Sequence, residues 1–191
     1  MMPTLATASF LEGSTVWFAN RGTGFVLLVL LTIATMLGVL STSRVSVRLW
    51  PRMLSQGLHR NVSLLAVTFL AAHVVTAVVD TFVDIRWWQA FVPFAGTYQP
   101  IWLGLGTLSL DLLIAVSVTS VLRHRMAHRP WRAIHVMAYA AWALGLLHGL
   151  QIGTDSGTTW GGAMNYGAIL AVGVAVLARI SILARPKVVT S

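Results

Sequence analysis

The sequence has few charged residues and very few acidic ones. Only 9% of its 191 residues are charged, with 5 Asp and Glu in total, whereas 57% are hydrophobic. The mean hydropathy is +0.78. A soluble domain usually carries about 25% charged residues. The composition therefore excludes a water-soluble globular protein and predicts a chain embedded in a membrane.

Cysteine is absent altogether. Its absence excludes disulfides, thiolate-bound metals, iron–sulfur clusters and covalently attached c-type haem. We also expect residues 1–191 to form a single membrane domain, because a chain of this length has no room beside its apolar segments for a soluble FAD/NADPH domain.

Long apolar runs, by contrast, are frequent. A helix needs about 20 apolar residues to cross the hydrocarbon core of a bilayer, and five stretches are long enough. They lie at about 22–41, 57–79, 101–122, 133–152 and 163–184. No basic residue precedes Arg21, which argues against a cleaved signal peptide. The sequence has no internal repeat or domain boundary, and it predicts an all-α integral membrane bundle of five transmembrane helices.

The 13 Lys and Arg residues give the chain a net charge of +8. In a soluble protein this excess would suggest nucleic acid, but in a membrane protein basic residues mark the cytoplasmic side. All of them except Arg21 and Arg86 fall in or beside the first loop, the third loop or the C-terminal segment. We therefore predict an external N-terminus, a cytoplasmic C-terminus and no nucleic-acid partner. The single Lys among 13 basic residues is typical of GC-rich bacterial genomes, so a multi-pass protein of a bacterial plasma membrane is expected.

Four histidines fall inside the predicted spans, two on the second and two on the fourth. His59 and His73 are about 21 Å apart along an ideal helix, and His135 and His148 about 20 Å. Both helices start at the same face, so the four residues form two levels with one imidazole from each helix. This is the requirement for bis-His ligation of haem inside a bundle. A single intramembrane histidine, by contrast, often only hydrogen-bonds across helices.

The four histidines match in depth, but the directions in which they point around the two helix axes match less well. His59 and His73 point within about 40° of one another on an ideal helix, whereas His135 and His148 are about 140° apart. Helix tilt, a local distortion or different rotamers must make up the difference. Gly145 and Gly149 flank His148 and would admit a flat macrocycle, although small residues at this spacing also serve plain helix packing.

At this point the sequence resembles the ferric reductase-like transmembrane domain, which ferric reductases, NADPH oxidases and the haem-binding subunit of methionine sulfoxide reduction share. The paired histidine spacing carries the resemblance, and it covers roughly residues 15–184. Five further strings are similar to a small bacterial branch: Arg-Gly-Thr-Gly at 21–24, Leu-His-Arg-Asn at 58–61, Trp-Leu-Gly-Leu-Gly at 102–106, Trp-Arg-Ala-Ile-His at 131–135 and Leu-His-Gly at 147–149.

The resemblance implies two haems b, stacked between the second and fourth helices. His59 and His135 would ligate the inner haem, and His73 and His148 the outer one. Arg21 matches an arginine that oxidase relatives place at the outer haem, where oxygen is reduced, and it is the candidate catalytic residue. Those relatives carry a further histidine where this chain has Ala77, which argues against oxygen reduction. They also have a cytoplasmic FAD/NADPH domain.

Several other polar residues are candidates for the same sites. Arg60 and Arg132 at the inner level, and Arg86 at the outer one, are possible partners of haem propionates, with positive-inside anchoring as the plainer interpretation of the first two. Asp111 lies near the middle of the third span, where it would hydrogen-bond to a neighbouring helix or orient an imidazole. Asp80 would lie at the outer surface, in contact with a haem edge, a substrate or simply water.

The leading prediction is a transmembrane haem b protein of ferric reductase type that passes electrons from a cytoplasmic or quinol donor to an external acceptor. A flavoprotein reductase, a periplasmic redox partner or quinone would complete the circuit in the lipid bilayer. One alternative is a cytochrome b anchor subunit that exchanges electrons with quinone. The other is a haem-free membrane scaffold or transporter whose histidines pack or move protons.

Overall fold

The computed structural model describes residues 13–42, 52–80, 83 and 85–184. Five long helices account for most of them: α1 (Gly13–Thr42), α2 (Arg52–Val79), α3 (Pro100–Val121), α4 (His128–Ile152) and α5 (Thr159–Leu183). Two short 3-10 helices, Trp87–Ala90 and Arg123–Arg125, lie in the loops on either side of α3. The described residues contain no strand. The predicted all-α fold with five long apolar helices is therefore confirmed.

Local chemistry explains where several helices begin. Pro100 opens α3, where its missing N–H has no helical partner to lose. Thr158 caps α5, since its hydroxyl accepts a hydrogen bond from the Gly161 amide at 3.2 Å. Four helices start within five residues of the predicted spans. The exception is α1, which begins at Gly13, nine residues before the predicted span, because a helix can extend beyond the apolar stretch that crosses a membrane.

Each of the five helices is long and apolar enough to cross a membrane. Their outward surfaces are rich in large exposed apolar side chains, such as Leu64 on α2 and Leu170 on α5, which is 68% exposed. A contiguous apolar surface of this kind requires a nonpolar solvent. The length and apolar composition of its helices therefore identify the chain as a multi-pass membrane protein.

The helices pack as two close pairs, α1 with α2 and α3 with α4, and α5 lies mainly against α1. Small residues bring α3 and α4 together: the hydroxyl of Ser109 donates to the carbonyl of Ala141 at 2.7 Å, opposite Gly145. By contrast, α2 and α4 have almost no close backbone contact. The two helices that carry the histidines thus do not pack closely against each other.

The two ends of the bundle differ in their loops. We call them the His59 end, where α2 and α4 begin, and the His73 end, where they finish. At the His73 end the segment 85–99 is folded around the buried Gln89, whose side chain accepts from the Arg86 amide and donates to the Ala95 carbonyl. The α4–α5 loop, residues 153–158, forms a compact turn at the same end.

Candidate functional site

The structure brings the rings of His59 on α2 and His135 on α4 together in an edge-on arrangement. Their ring centroids are 6.2 Å apart and their planes are inclined at 74°. A first-row metal binds an imidazole nitrogen at about 2.0 Å, so two imidazoles on opposite sides of one metal have centroids roughly 6 Å apart. The observed centroid separation is close to that value.

His73 and His148 form the second pair, at the other end of the same two helices. Their imidazoles are close enough to interact electrostatically within the bundle. The structure therefore places one histidine of α2 and one of α4 at each of two levels, as the residue spacing predicts.

The Nδ1 atom of every one of these histidines has a hydrogen-bond partner on the preceding helix. His59 and His73 donate to the carbonyls of Ala34 and Asn20 on α1, at 2.9 and 3.1 Å. His148 donates to the carbonyl of Trp102 on α3 at 2.9 Å. Nδ1 of His135 lies 3.4 Å from the hydroxyl of Ser120, also on α3. Since a carbonyl can only accept, the proton of at least three rings is on Nδ1 and the Nε2 lone pair is left available.

The four Nε2 atoms have no hydrogen-bond partner among the described residues, and none of them is fully enclosed. Only one side-chain polar atom in the described part of the chain, Nε1 of Trp131, is both fully enclosed and unpartnered. An imidazole that is held through Nδ1 and presents Nε2 to a cavity is the usual arrangement of a metal-ligating histidine.

Glycines on the preceding helix make room for three of the four rings. A Cβ atom at Gly24 would lie 3.1 Å from Cε1 of His73, and one at Gly38 would lie 3.5 Å from Cε1 of His59. At Gly106 a Cβ atom would lie only 2.5 Å from Nδ1 of His148. Thus glycines of α1 make room for both rings of α2, and a glycine of α3 makes room for one ring of α4.

Helix α4 reaches both levels although its two histidines differ in phase. It is a continuous α-helix from His128 to Ile152, so no break in the helix corrects the angle of about 140°. Helix crossing and side-chain direction therefore bring the two rings to the same neighbour. His135 is additionally stacked on Trp131, with ring centroids 5.1 Å apart and planes at 21°.

The described residues contain no cluster of three or more His, Asp or Glu side chains that could hold a metal ion. A bare cation therefore lacks a protein-built coordination sphere within that part of the chain. Two opposed imidazoles instead suit a metal whose remaining ligands come from a planar macrocycle. The donor set and the separation of α2 from α4 are consistent with such a group.

Arg21 is engaged in an ion pair that the sequence does not predict. Its guanidinium pairs with Asp155 in the α4–α5 loop, and its Nε donates to Oδ2 of that carboxylate at 2.7 Å. The same guanidinium lies over the ring of Trp17, 4.0 Å from the centroid. The candidate catalytic arginine is thus held by two protein groups at the His73 end.

The other predicted arginines lie at the surface. Arg60, Arg86 and Arg132 are exposed, and none forms an ion pair with a described residue. Their positions leave the predicted pairing with propionates untested.

The two predicted aspartates lie in different settings. Asp80 follows the end of α2, where its backbone amide donates to the Thr76 carbonyl. Asp111 is partly exposed on α3. It orients none of the four imidazoles, because each Nδ1 is bonded to another group.

The two glycines beside His148 have different roles. A Cβ atom at Gly145 would meet the Ser109 hydroxyl at 3.2 Å, so this residue serves the packing of α3 on α4 rather than the approach of a macrocycle. Around Gly149 there is nothing within 4 Å of an added Cβ atom, which leaves the predicted open face. Between the two levels, the indole of Trp142 donates to the Thr32 hydroxyl on α1 at 3.1 Å.

Several residues that support the site could not be identified as such from the sequence. Gly24 and Gly106 belong to strings that carried the family resemblance, but their contacts with histidines depend on helix pairing. Asn20, Ser120 and Asp155 are ordinary polar residues in the sequence, and only the fold shows that each holds a predicted site residue.

Comparison with known proteins adds a family without a described activity. No curated protein and no solved structure matches the chain. One family model, described as a domain of unknown function, matches residues 15–155. The matched region contains all four histidines, Arg21 and Asp155. Because the match covers well over half of the sequence, the chain belongs to this family, DUF8596.

Proposed function

We propose that this protein is a transmembrane b-type haem protein that carries electrons from one face of a membrane to the other, as ferric reductase-like proteins do. The observation that supports the proposal best is the state of the four histidines. Each ring is held through Nδ1 by the preceding helix, and no Nε2 has a hydrogen-bond partner among the described residues. Two such pairs at two depths suit two haems, one in each leaflet.

The hydrogen bonding of the histidines favours a ligand over simple packing. Each Nδ1 atom has a partner on the preceding helix, whereas no Nε2 atom has a partner among the described residues. A structural role would be better served by pairing these atoms across the bundle. The iron of a bound haem would supply the one-electron couple. The chain's own residues hold the ligand rings, fix their tautomer and keep the two levels apart.

The direction of transfer follows from the placement of charge. The exposed arginines of the loop between α3 and α4 lie at the His59 end, which we assign to the cytoplasm by the positive-inside rule. An electron that leaves the cytoplasm moves with the membrane potential, by roughly 2.3 kcal/mol per 100 mV for a full crossing. We therefore propose a cytoplasmic flavoprotein or quinol as donor and an external acceptor, in a bacterial plasma membrane.

The test is haem stoichiometry in the purified protein, expressed with an ample supply of haem precursor. We expect a reduced-minus-oxidised spectrum of the b type and two haems per chain. His73→Ala and His135→Ala should each remove one haem, and the double variant should remove both. His124→Ala is the matched control, since this exposed loop histidine belongs to neither pair. Absence of a b-type spectrum would contradict the proposal, and reduction by a quinol rather than a reduced flavoprotein would identify the donor.

A further inference from the structure

Arg21 and Asp155 form the one ion pair that the structure shows within the described residues. The pair is partly shielded, because Asp155 is only 7% exposed and the Arg21 side chain, which lies against the Trp17 ring, is 24% exposed. Both residues lie at the His73 end, and the pair joins α1 to the α4–α5 loop. A shielded pair of this kind is energetically costly to break, since either partner alone is an uncompensated charge.

The turn of α1 that carries Arg21 also holds His73. The preceding residue, Asn20, accepts from Nδ1 of His73 through its carbonyl. Its side chain donates to the His73 carbonyl at 2.9 Å and to the Thr76 hydroxyl at 3.1 Å. One turn further on, Gly24 lies against the imidazole. Any displacement of this turn therefore moves His73.

Asp155 is fixed just as closely to the other half of the site. It follows His148 by seven residues, within a turn that two hydroxyls stabilise: Ser156 donates to the Gly153 carbonyl and Thr158 to the Asp155 carbonyl, each at 2.7 Å. The loop has little freedom to move independently of α4. The ion pair thus ties the support of His73 to the segment that leaves His148.

We propose that Arg21 and Asp155 are positioning residues that fix the His73–His148 ligand pair and keep its surroundings electrically neutral. The inference rests on the proposed function, but it assigns Arg21 a different role from the catalytic one that the family resemblance implies. A guanidinium that is already bound to a carboxylate and covered by an indole is not free to bind an external substrate. Its charge is instead cancelled beside the outer ligand pair.

Removing either charge of the ion pair should shift the midpoint potential of the nearby haem in a direction set by the charge that remains. In a weakly polar interior a nearby positive charge favours the reduced haem and a negative charge favours the oxidised one. Asp155→Asn leaves Arg21 uncompensated and should raise the midpoint potential of one haem. Arg21→Gln should lower it. The double variant removes both charges and should return the potential towards that of the unmodified protein.

The experiment is a redox titration of the full-length holoprotein, with haem content measured for every variant. We expect Asp155→Asn to favour reduction of one haem about tenfold, equivalent to ~59 mV for a one-electron couple. Repeating the series in His135→Ala, which should retain only the haem of His73 and His148, assigns the shift to that pair. Arg129→Gln, which removes a positive charge at the His59 end, is the control and should leave the midpoint potential of this haem unchanged.

Two outcomes overturn the inference. The first is that Asp155→Asn does not selectively raise the midpoint potential of the haem held by His73 and His148. The second is that the midpoint potential of the double variant is no closer to that of the unmodified protein than the potential of Asp155→Asn is. Either result in a protein with two haems refutes the positioning role alone. Absence of haem from the unmodified protein refutes the proposed function instead. Haem content therefore separates the two failures.

Discussion

At the scale of single residues, His73 and His148 each depend on a close contact with a glycine that a side-chain methyl group would disturb. The most severe case is Gly106, where a Cβ atom would lie 2.5 Å from Nδ1 of His148. That distance is too short for any real Cβ atom, so the ring would have to leave its position. The hydrogen bond to the Trp102 carbonyl would be lost with it.

We therefore predict that Gly106→Ala removes one of the two haems. Alanine is a better helix former than glycine by about 1 kcal/mol, so a loss of haem cannot be attributed to a weakened helix. Haem stoichiometry is the measurement. Gly22→Ala is the matched control, because nothing lies within 4 Å of a Cβ atom added there. Two haems retained in Gly106→Ala would show that His148 does not need its observed position.

At the scale of helices, the pairing of α3 with α4 depends on a small-residue contact. The Ser109 hydroxyl bonds to the Ala141 carbonyl opposite Gly145. Interhelical hydrogen bonds in membranes contribute about 0.6 kcal/mol on average, and overpacking a close contact typically costs about 1–3 kcal/mol. The two substitutions Ser109→Ala and Gly145→Val test these contributions separately.

We expect Ser109→Ala to lower the thermal stability slightly and Gly145→Val to lower it more, with both haems retained. The reason is that these residues face the interface between α3 and α4 rather than the space beside α2. Thermal unfolding in detergent, followed together with haem content, is the measurement. Gly173→Val, which adds the same side chain where no atom lies within 4 Å, is the control. Loss of one haem at unchanged stability would restore the predicted role of Gly145 in haem approach.

The sequence predicts features that depend on neighbouring residues better than features that depend on contacts between helices. Apolar runs predicted all five helices and most of their limits, because a membrane span is determined by its own composition. Helix α1 begins nine residues before the predicted span, because its first turns carry polar side chains such as Asn20 and Arg21, whose partners lie on distant elements. The histidine levels followed from spacing alone. Their glycine supports and the Asp155 pair required helix packing, which no local pattern contains.

At the scale of the whole molecule, the distribution of arginines divides the bundle into two unlike ends. The loop between α3 and α4 is strongly basic, whereas the described residues of the opposite end hold Arg86 and the paired Arg21. Cytoplasmic loops carry an excess of Lys and Arg. The His59 end should therefore face the cytoplasm and the His73 end the exterior.

The absence of cysteine makes this orientation directly testable. Thr97→Cys places an exposed thiol in the segment before α3, and His124→Cys places one in the loop after it. A membrane-impermeant maleimide added to intact cells should label Thr97→Cys, and should label His124→Cys only after the membrane is permeabilised. The unmodified protein, which has no thiol, supplies the background. The reverse pattern would place the His59 end outside, and the membrane potential would then oppose electron transfer from the His59 pair to the His73 pair.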